Sequence, residues 1–84
     1  SNVQAAIGCA QLERVEELVA RKREIMQAYR DAFAAIPEVT MNPEPPGTVN
    51  GSWMPTVVFD HSTGVTRERL LDAFRAENID ARVF

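Results

Sequence analysis

One long helical pattern constrains this chain more than any other feature of its sequence. Residues 3–36 contain no proline and, after Gly8, no glycine. Nonpolar side chains recur there at alternating spacings of three and four residues, which places them on one side of an α-helix. Ser1 or Asn2 can cap the start and Pro37 marks the stop, so we predict one continuous helix. Its stripe consists of Leu12, Val15, Val19, Lys22, Met26, Tyr29, Phe33 and Ile36, in which Lys22 is the only charged member.

This helix is too long for a domain built from the rest of the chain. Roughly 34 residues at about 1.5 Å each give a rod of about 50 Å, whereas a compact domain of this size is about 30 Å across. We therefore expect protein outside the chain to cover one end of the helix. The first turns are the candidate interface, because small side chains such as Ala5 and Cys9 let another backbone approach closely. The interface residues that we predict are Val3, Ala6, Ile7 and Ala10.

The second part of the chain predicts an α+β fold. A short extended piece at 38–41 precedes a loop rich in Pro, Gly and Asn at 42–52 and a β-rich segment at 53–60. Thr66 can cap a second helix that runs to about Glu77, and Asn78 suits the left-handed position beyond it. Residues 79–84 alternate as a strand does. The predicted order is α-β-β-α-β, with a connecting helix at 1–36 and a small α/β domain at 37–84 that packs helices on one face of a mostly antiparallel sheet.

Composition and the two chain ends limit the partners and the cellular location that we expect for this chain. The chain has 84 residues and a net charge of −3, which argues against binding a phosphate backbone, so we expect no nucleic-acid partner. It has one cysteine and no apolar run long enough for a bilayer, and we expect a cytoplasmic protein with no membrane contact. The first residue is not methionine and Phe84 falls inside a predicted strand, so we expect both ends to lie within a longer protein.

No group of residues in the sequence is sufficient for catalysis. Cys9 is the only thiol, and with His61 far away in sequence we expect it to be a small buried helix residue. His61 follows Asp60, but no third partner is evident and a solvated turn is the expectation. Lys22 is the only lysine and lies between two arginines, whereas a lysine that holds a carbonyl cofactor needs a dry pocket. One His and one Cys cannot build a structural zinc site, so no metal is expected.

The opening segment SNVQAAIGCAQLERVEELVARKREIMQAYRDAF resembles a signature of the DegT/DnrJ/StrS-type aminotransferases. The family pattern there is approximately [ST]-[ND]-[VIL]-Q-A-A-[IL]-G-x-x-Q-L, followed by R-R-x-I-x-x-x-Y. The segment SWMPTVVFD is similar to a strand of perosamine-synthase-like members, and RERLLDAFRAENIDARVF is similar to a later helix and strand. Asn78 stands where the family usually has glycine. The resemblance covers essentially the whole chain.

This resemblance implies the C-terminal small domain of a fold-type-I enzyme that uses pyridoxal 5′-phosphate and works as a homodimer through its large domain. In the family, an amino group passes from glutamate to the keto carbon of a nucleotide-linked deoxysugar. The resemblance places the cofactor lysine, the acid beside the ring nitrogen and the phosphate-binding residues upstream of Ser1. No catalytic or cofactor-binding residue is therefore assigned in this chain, and no bound cofactor is expected. Trp53 and Arg82 are the residues that the resemblance places near the substrate.

Two other interpretations stay open from the sequence. The chain could be a freestanding α+β module that dimerises through its long helix. It could also come from a relative of the family that acts as a sugar dehydratase or a regulator. If the chain is the small domain of such an enzyme, we expect the isolated chain to be inactive as a transaminase and to self-associate, because the first helix has lost its cover.

Overall fold

The computed structural model describes residues 1–83 as three helices, one short 3₁₀ turn and one pair of strands. In chain order these are α1 (Asn2–Glu13), α2 (Val15–Phe33), β1 (Val39–Met41), β2 (Val57–Phe59), the 3₁₀ turn (His61–Thr63) and α3 (Arg67–Ala76). The fold class is α+β, as the sequence predicts. None of the three helices combines the length and apolar composition that a bilayer crossing requires within the described range.

The prediction of one unbroken first helix is wrong at Arg14. The backbone there has φ −112° and ψ 6°, and the Arg14 N–H bonds the carbonyl of Gln11, three residues back, at 3.1 Å. This is the tighter spacing of a 3₁₀ turn, so α1 ends and α2 begins on its far side. The Arg14 carbonyl still accepts the N–H of Leu18 at 2.9 Å, so the same residue ends one helix and starts the next.

The helix ends follow local sequence signals closely. The Ser1 hydroxyl accepts the backbone N–H of Gln4, and the Gln4 side chain accepts a hydrogen bond from the N-terminal amino group, which forms a capping box. The Thr66 hydroxyl caps α3 by accepting the N–H of Arg69 at 3.2 Å. At the other end, Asn78 has φ 58°, and Ile79 donates its N–H to the Phe74 carbonyl at 2.9 Å. These contacts form a Schellman ending, in which Asn78 takes the left-handed position that the sequence predicts.

The sheet is smaller than the sequence predicts. β1 and β2 pair antiparallel with Val39 opposite Phe59 and Met41 opposite Val57, and Asp60 continues the ladder by donating to the Glu38 carbonyl at 2.8 Å. The predicted third strand is not formed at 79–83, because no backbone ladder joins those residues to β1 or β2; residue 84 lies outside the described range. The strand that we predict at 53–60 is restricted to its last part, after Pro55.

The chain is expanded and has almost no core of its own. Met26 is the only apolar residue that is buried in the described range, with 2% of its surface exposed. The radius of gyration is 16.5 Å, against about 12 Å for a compact domain of this length. The accessible surface is 7123 Å², against about 5,000 Å² for a compact folded protein of this mass. The excess surface is comparable to the area that a protein–protein interface buries.

Candidate functional site

The most organised polar cluster lies where α2 meets the connection between the two strands. We call residues 42–56 the anchored loop, because two arginines of α2 bind its backbone. Arg23 donates one guanidinium N–H to the carbonyl of Asn50 and another to the Glu44 carboxylate at 3.4 Å. Arg30 donates to the carbonyl of Asn42 at 2.6 Å. The helix therefore binds both the first and the second half of the loop.

Asn42 closes the base of the anchored loop with its side-chain amide. Its Nδ2 donates to the carbonyl of Met54 at 3.1 Å, and its Oδ1 accepts the backbone N–H of Thr56 at 2.8 Å. Both bonds span the two ends of the loop just beyond the strand pair. The loop thus has the form of a compact Ω-loop, whose two ends lie close together.

Ser52 is the most buried residue of the anchored loop. Only 5% of its surface is exposed, and its backbone has φ 56°, a left-handed conformation that is uncommon for residues other than glycine. Its N–H donates to Oδ1 of Asn50 at 2.7 Å, which is the side-chain turn that stabilises such a bend. No buried side-chain N or O atom of the described residues lacks a partner. The buried polar side-chain atoms of the cluster are therefore all hydrogen-bonded.

Trp53 and Arg82, the predicted substrate-proximal residues, both lie on the surface. Trp53 follows the buried Ser52 in the anchored loop and is 74% exposed. Arg82 lies beyond α3, where its guanidinium is 3.5 Å from the Asp80 carboxylate and both side chains are largely in solvent. An exposed pair of this kind contributes about 1 kcal/mol or less. The structure holds Trp53 on a fixed backbone, and Arg82 pairs locally within its own segment.

The predicted interface residues Val3, Ala6, Ile7 and Ala10 are all exposed on α1, which has no buried residue. Cys9 is exposed as well, which contradicts the prediction that it is a buried helix residue. The reason is that α1 is apolar on nearly all sides, with polar side chains only at Asn2, Gln4, Gln11 and Glu13, yet nothing in the described chain packs on it. A helix that is apolar all round is typical of a protein interior.

The other candidate residues do not form a catalytic group. Lys22 is exposed on α2. His61 begins the 3₁₀ turn, and the Asp60 carboxylate accepts the backbone N–H of Ser62 at 2.8 Å. That bond lowers the pKa of Asp60, because it stabilises the charged form. Within residues 1–83, no three His, Cys, Asp or Glu side chains are grouped so as to hold a metal ion.

Sequence reasoning did not identify Arg23, Arg30, Asn42 or Ser52 as members of one cluster. Other charged residues of the same helical segment pair locally, as Arg21 does with Glu24 at 2.7 Å. The available signal was spacing: Arg23 and Arg30 lie three residues before and four residues after Met26, so all three share one side of α2. No comparable pattern in the sequence predicts the conformation of the loop that these arginines bind.

Comparison with known proteins gives a match over the whole chain. The model of the DegT/DnrJ/EryC1/StrS aminotransferase family matches residues 1–84. The chain is 34% identical over 84 residues to the GDP-perosamine synthase of Vibrio cholerae, with all of the chain and 23% of the relative aligned. It is 32% identical over 83 residues to the GDP-perosamine synthase of Caulobacter vibrioides, covering 98% of the chain and 22% of the relative.

A third relative comes from Bacillus subtilis (strain 168). This relative is EpsN, whose name assigns it provisionally to the pyridoxal phosphate-dependent aminotransferases. The chain is 33% identical to it over 82 residues, which cover 98% of the chain and 21% of the relative. No solved structure matches the chain significantly. The chain therefore spans between a fifth and a quarter of the length of these relatives.

Proposed function

Because the chain belongs to the DegT/DnrJ/EryC1/StrS aminotransferase family, we propose that it is the C-terminal part of a pyridoxal-phosphate-dependent enzyme that moves an amino group from glutamate to a nucleotide-linked keto-deoxysugar. The observation that carries the proposal is the family match over all 84 residues. Two relatives are named for the nucleotide-linked sugar GDP-perosamine, and a third for pyridoxal phosphate and amino transfer. These names support the substrate class and the cofactor.

The residues of this chain do not fit a pyridoxal phosphate site. Lys22 is exposed, and it lines neither of two concavities in the described residues. Both concavities are open grooves along α2, one beside Val19 and the other beside Phe33. A lysine that holds a carbonyl cofactor needs a desolvated pocket, which these grooves do not provide. The cofactor and the chemistry therefore belong, in this proposal, to the part of the enzyme outside this chain.

The proposed contribution of this chain is to shape the substrate site and to complete the assembly. The anchored loop presents Trp53, a large planar side chain with an N–H donor, on a backbone that α2 holds in place. Such a side chain can cover the sugar or base of a bound nucleotide sugar. We extend the proposal to Arg82 as a second residue near the substrate, and to a homodimer that forms through the large domain.

Amino transfer by the full-length protein tests the proposal directly. With glutamate and a nucleotide-linked keto-deoxysugar, we expect one 2-oxoglutarate for each aminated sugar formed, because the amino group leaves one substrate and enters the other. Paired chromatography of both products measures this ratio. Loss of water from the sugar without consumption of glutamate would favour the dehydratase alternative, and no turnover with any such sugar would favour the regulator.

The isolated 84-residue chain is the matched control for that assay. We expect it to show no amino transfer and no absorbance change that depends on Lys22 when pyridoxal phosphate is added. A band that disappears in Lys22→Ala would mean that this chain holds the cofactor, and the assignment of the chemistry to the rest of the enzyme would then be wrong.

The isolated chain is also expected to self-associate. Its accessible surface exceeds that of a compact protein, and α1 exposes apolar side chains on nearly every side. Sedimentation over a range of concentrations should show an average mass that rises above the 9.4 kDa of one chain. A compact monomer at the highest concentration would contradict this expectation and would weaken the case for a missing cover.

A further inference from the structure

We propose that Arg23 and Arg30 are positioning residues, which hold the anchored loop against α2 and thereby fix the place of Trp53 in the active enzyme. The part of this inference that concerns Trp53 rests on the proposed function. The part that concerns the loop rests on geometry alone, because both guanidinium groups donate to backbone carbonyls of the loop, at Asn50 and Asn42.

The geometry gives the two arginines different tasks. Arg23 uses two separate N–H groups, one for the Asn50 carbonyl and one for the Glu44 carboxylate, so it needs the planar fork of a guanidinium. Arg30 makes one bond, to the Asn42 carbonyl at 2.6 Å. That bond holds the residue whose side chain closes the loop through Met54 and Thr56. Arg23 therefore fixes the outer part of the loop, and Arg30 fixes its base.

Arg23 influences the position of Trp53 through the backbone that precedes this residue. Asn50 receives the Arg23 bond on its carbonyl, and its side chain accepts the N–H of Ser52. Ser52 is buried in a left-handed conformation, and Trp53 is the next residue in the chain. Trp53 itself is 74% exposed, so its position depends on this backbone and little on its own packing. Releasing Arg23 should therefore move Trp53 without removing any atom of it.

Hydrogen exchange in the full-length protein tests the loop directly. In Arg23→Ala and in Arg30→Ala, exchange of peptides from residues 42–56 should rise by roughly tenfold, as expected for the loss of a charged hydrogen bond. Peptides from α2 and α3 should keep their wild-type rates. Arg21→Ala is the matched control, because Arg21 lies on the same helix and pairs with Glu24 at 2.7 Å. It should leave the loop unchanged.

Substrate kinetics and conservative variants distinguish a role of the two arginines in positioning the loop from a role in the overall stability of the fold. Both alanine variants should raise KM for the nucleotide sugar by roughly tenfold with kcat largely retained, as for the loss of an interaction that binds substrate and transition state alike. Arg30→Lys should return loop exchange and KM most of the way to the wild-type values, because one N–H donor suffices there. Arg23→Lys should behave like Arg23→Ala, because an ammonium group lacks the planar fork that binds the Asn50 carbonyl and the Glu44 carboxylate together.

Each outcome has a defined meaning. Unchanged loop exchange in both alanine variants would overturn the inference, and so would a rise that extends equally over α2 and α3. A rise confined to the loop without any change in KM would support the positioning role and refute the place of Trp53 beside the substrate. A rise in KM on Trp53→Ala, with wild-type loop exchange, would support that place independently of the arginines.

Discussion

Replacing Met26 with alanine is expected to lower the free energy of unfolding of this chain by about 2–3 kcal/mol. Met26 is the only apolar residue of the described range that is buried, with 2% of its surface exposed. Its removal leaves a cavity around the most buried side chain of α2. An expanded chain with so small a core has little stability to lose, so the urea midpoint of the variant should fall to a much lower concentration.

Urea unfolding followed by circular dichroism measures this effect in the isolated chain, at concentrations low enough to prevent association. Leu12→Ala is the matched control, because it removes a side chain of similar size that is 70% exposed on α1. It should change the unfolding free energy by about 0.5 kcal/mol or less. Equal losses in the two variants would mean that Met26 is not the centre of the packing.

Replacing Ile7 with aspartate should destabilise the full-length protein strongly and the isolated chain hardly at all. Ile7 is 61% exposed in this structure, so a carboxylate there meets water and the isolated chain should be nearly unaffected. In the full-length protein we propose that other residues cover α1. An unpaired charge would then be buried, at a cost of several kcal/mol.

The measurement is the thermal midpoint and the soluble yield of the full-length variant beside the wild type. We expect a marked fall in both, whereas Ile7→Leu, which keeps the volume and the apolar character, should remain close to wild type. A full-length Ile7→Asp protein with an unchanged midpoint would show that this side of α1 faces solvent in the whole enzyme. The interface role of Val3, Ala6, Ile7 and Ala10 would then be wrong.

Local signals explain most of the fold that the sequence predicts. Ser1 and Thr66 cap helices through hydroxyls that reach backbone N–H groups three residues ahead, and Asn78 ends α3 in a left-handed conformation. These features depend on a few neighbouring residues, and residue type alone identifies them.

The features that sequence reasoning missed depend on contacts that no local pattern records. The turn at Arg14 contains neither Gly nor Pro, and the apolar stripe continues through it. The segment 79–83 alternates like a strand, but alternation supplies no partner, and a strand exists only where a second backbone pairs with it. The arginine contacts to the anchored loop join residues 12 and 27 positions apart. Their acceptors are backbone carbonyls, which every residue has.

The same limit applies to α1, where the sequence predicts an interface and the isolated fold leaves it open. Its composition is that of a buried helix, and within the described chain it has no buried residue. We propose that protein outside these 84 residues covers that helix. The chain spans 23% of the Vibrio cholerae relative, whose remaining length is the basis for this proposal.

Alkylation of Cys9, followed by mass spectrometry of the peptide that contains it, tests that claim most directly. Cys9 is exposed on α1 in this structure, so in the dilute isolated chain it should react at the rate of a free thiol. In the full-length protein we predict that the same thiol reacts at least about tenfold more slowly, because the covered state must open before the reagent can enter. Equal rates in the two proteins would show that α1 is exposed in both, and the account would be wrong.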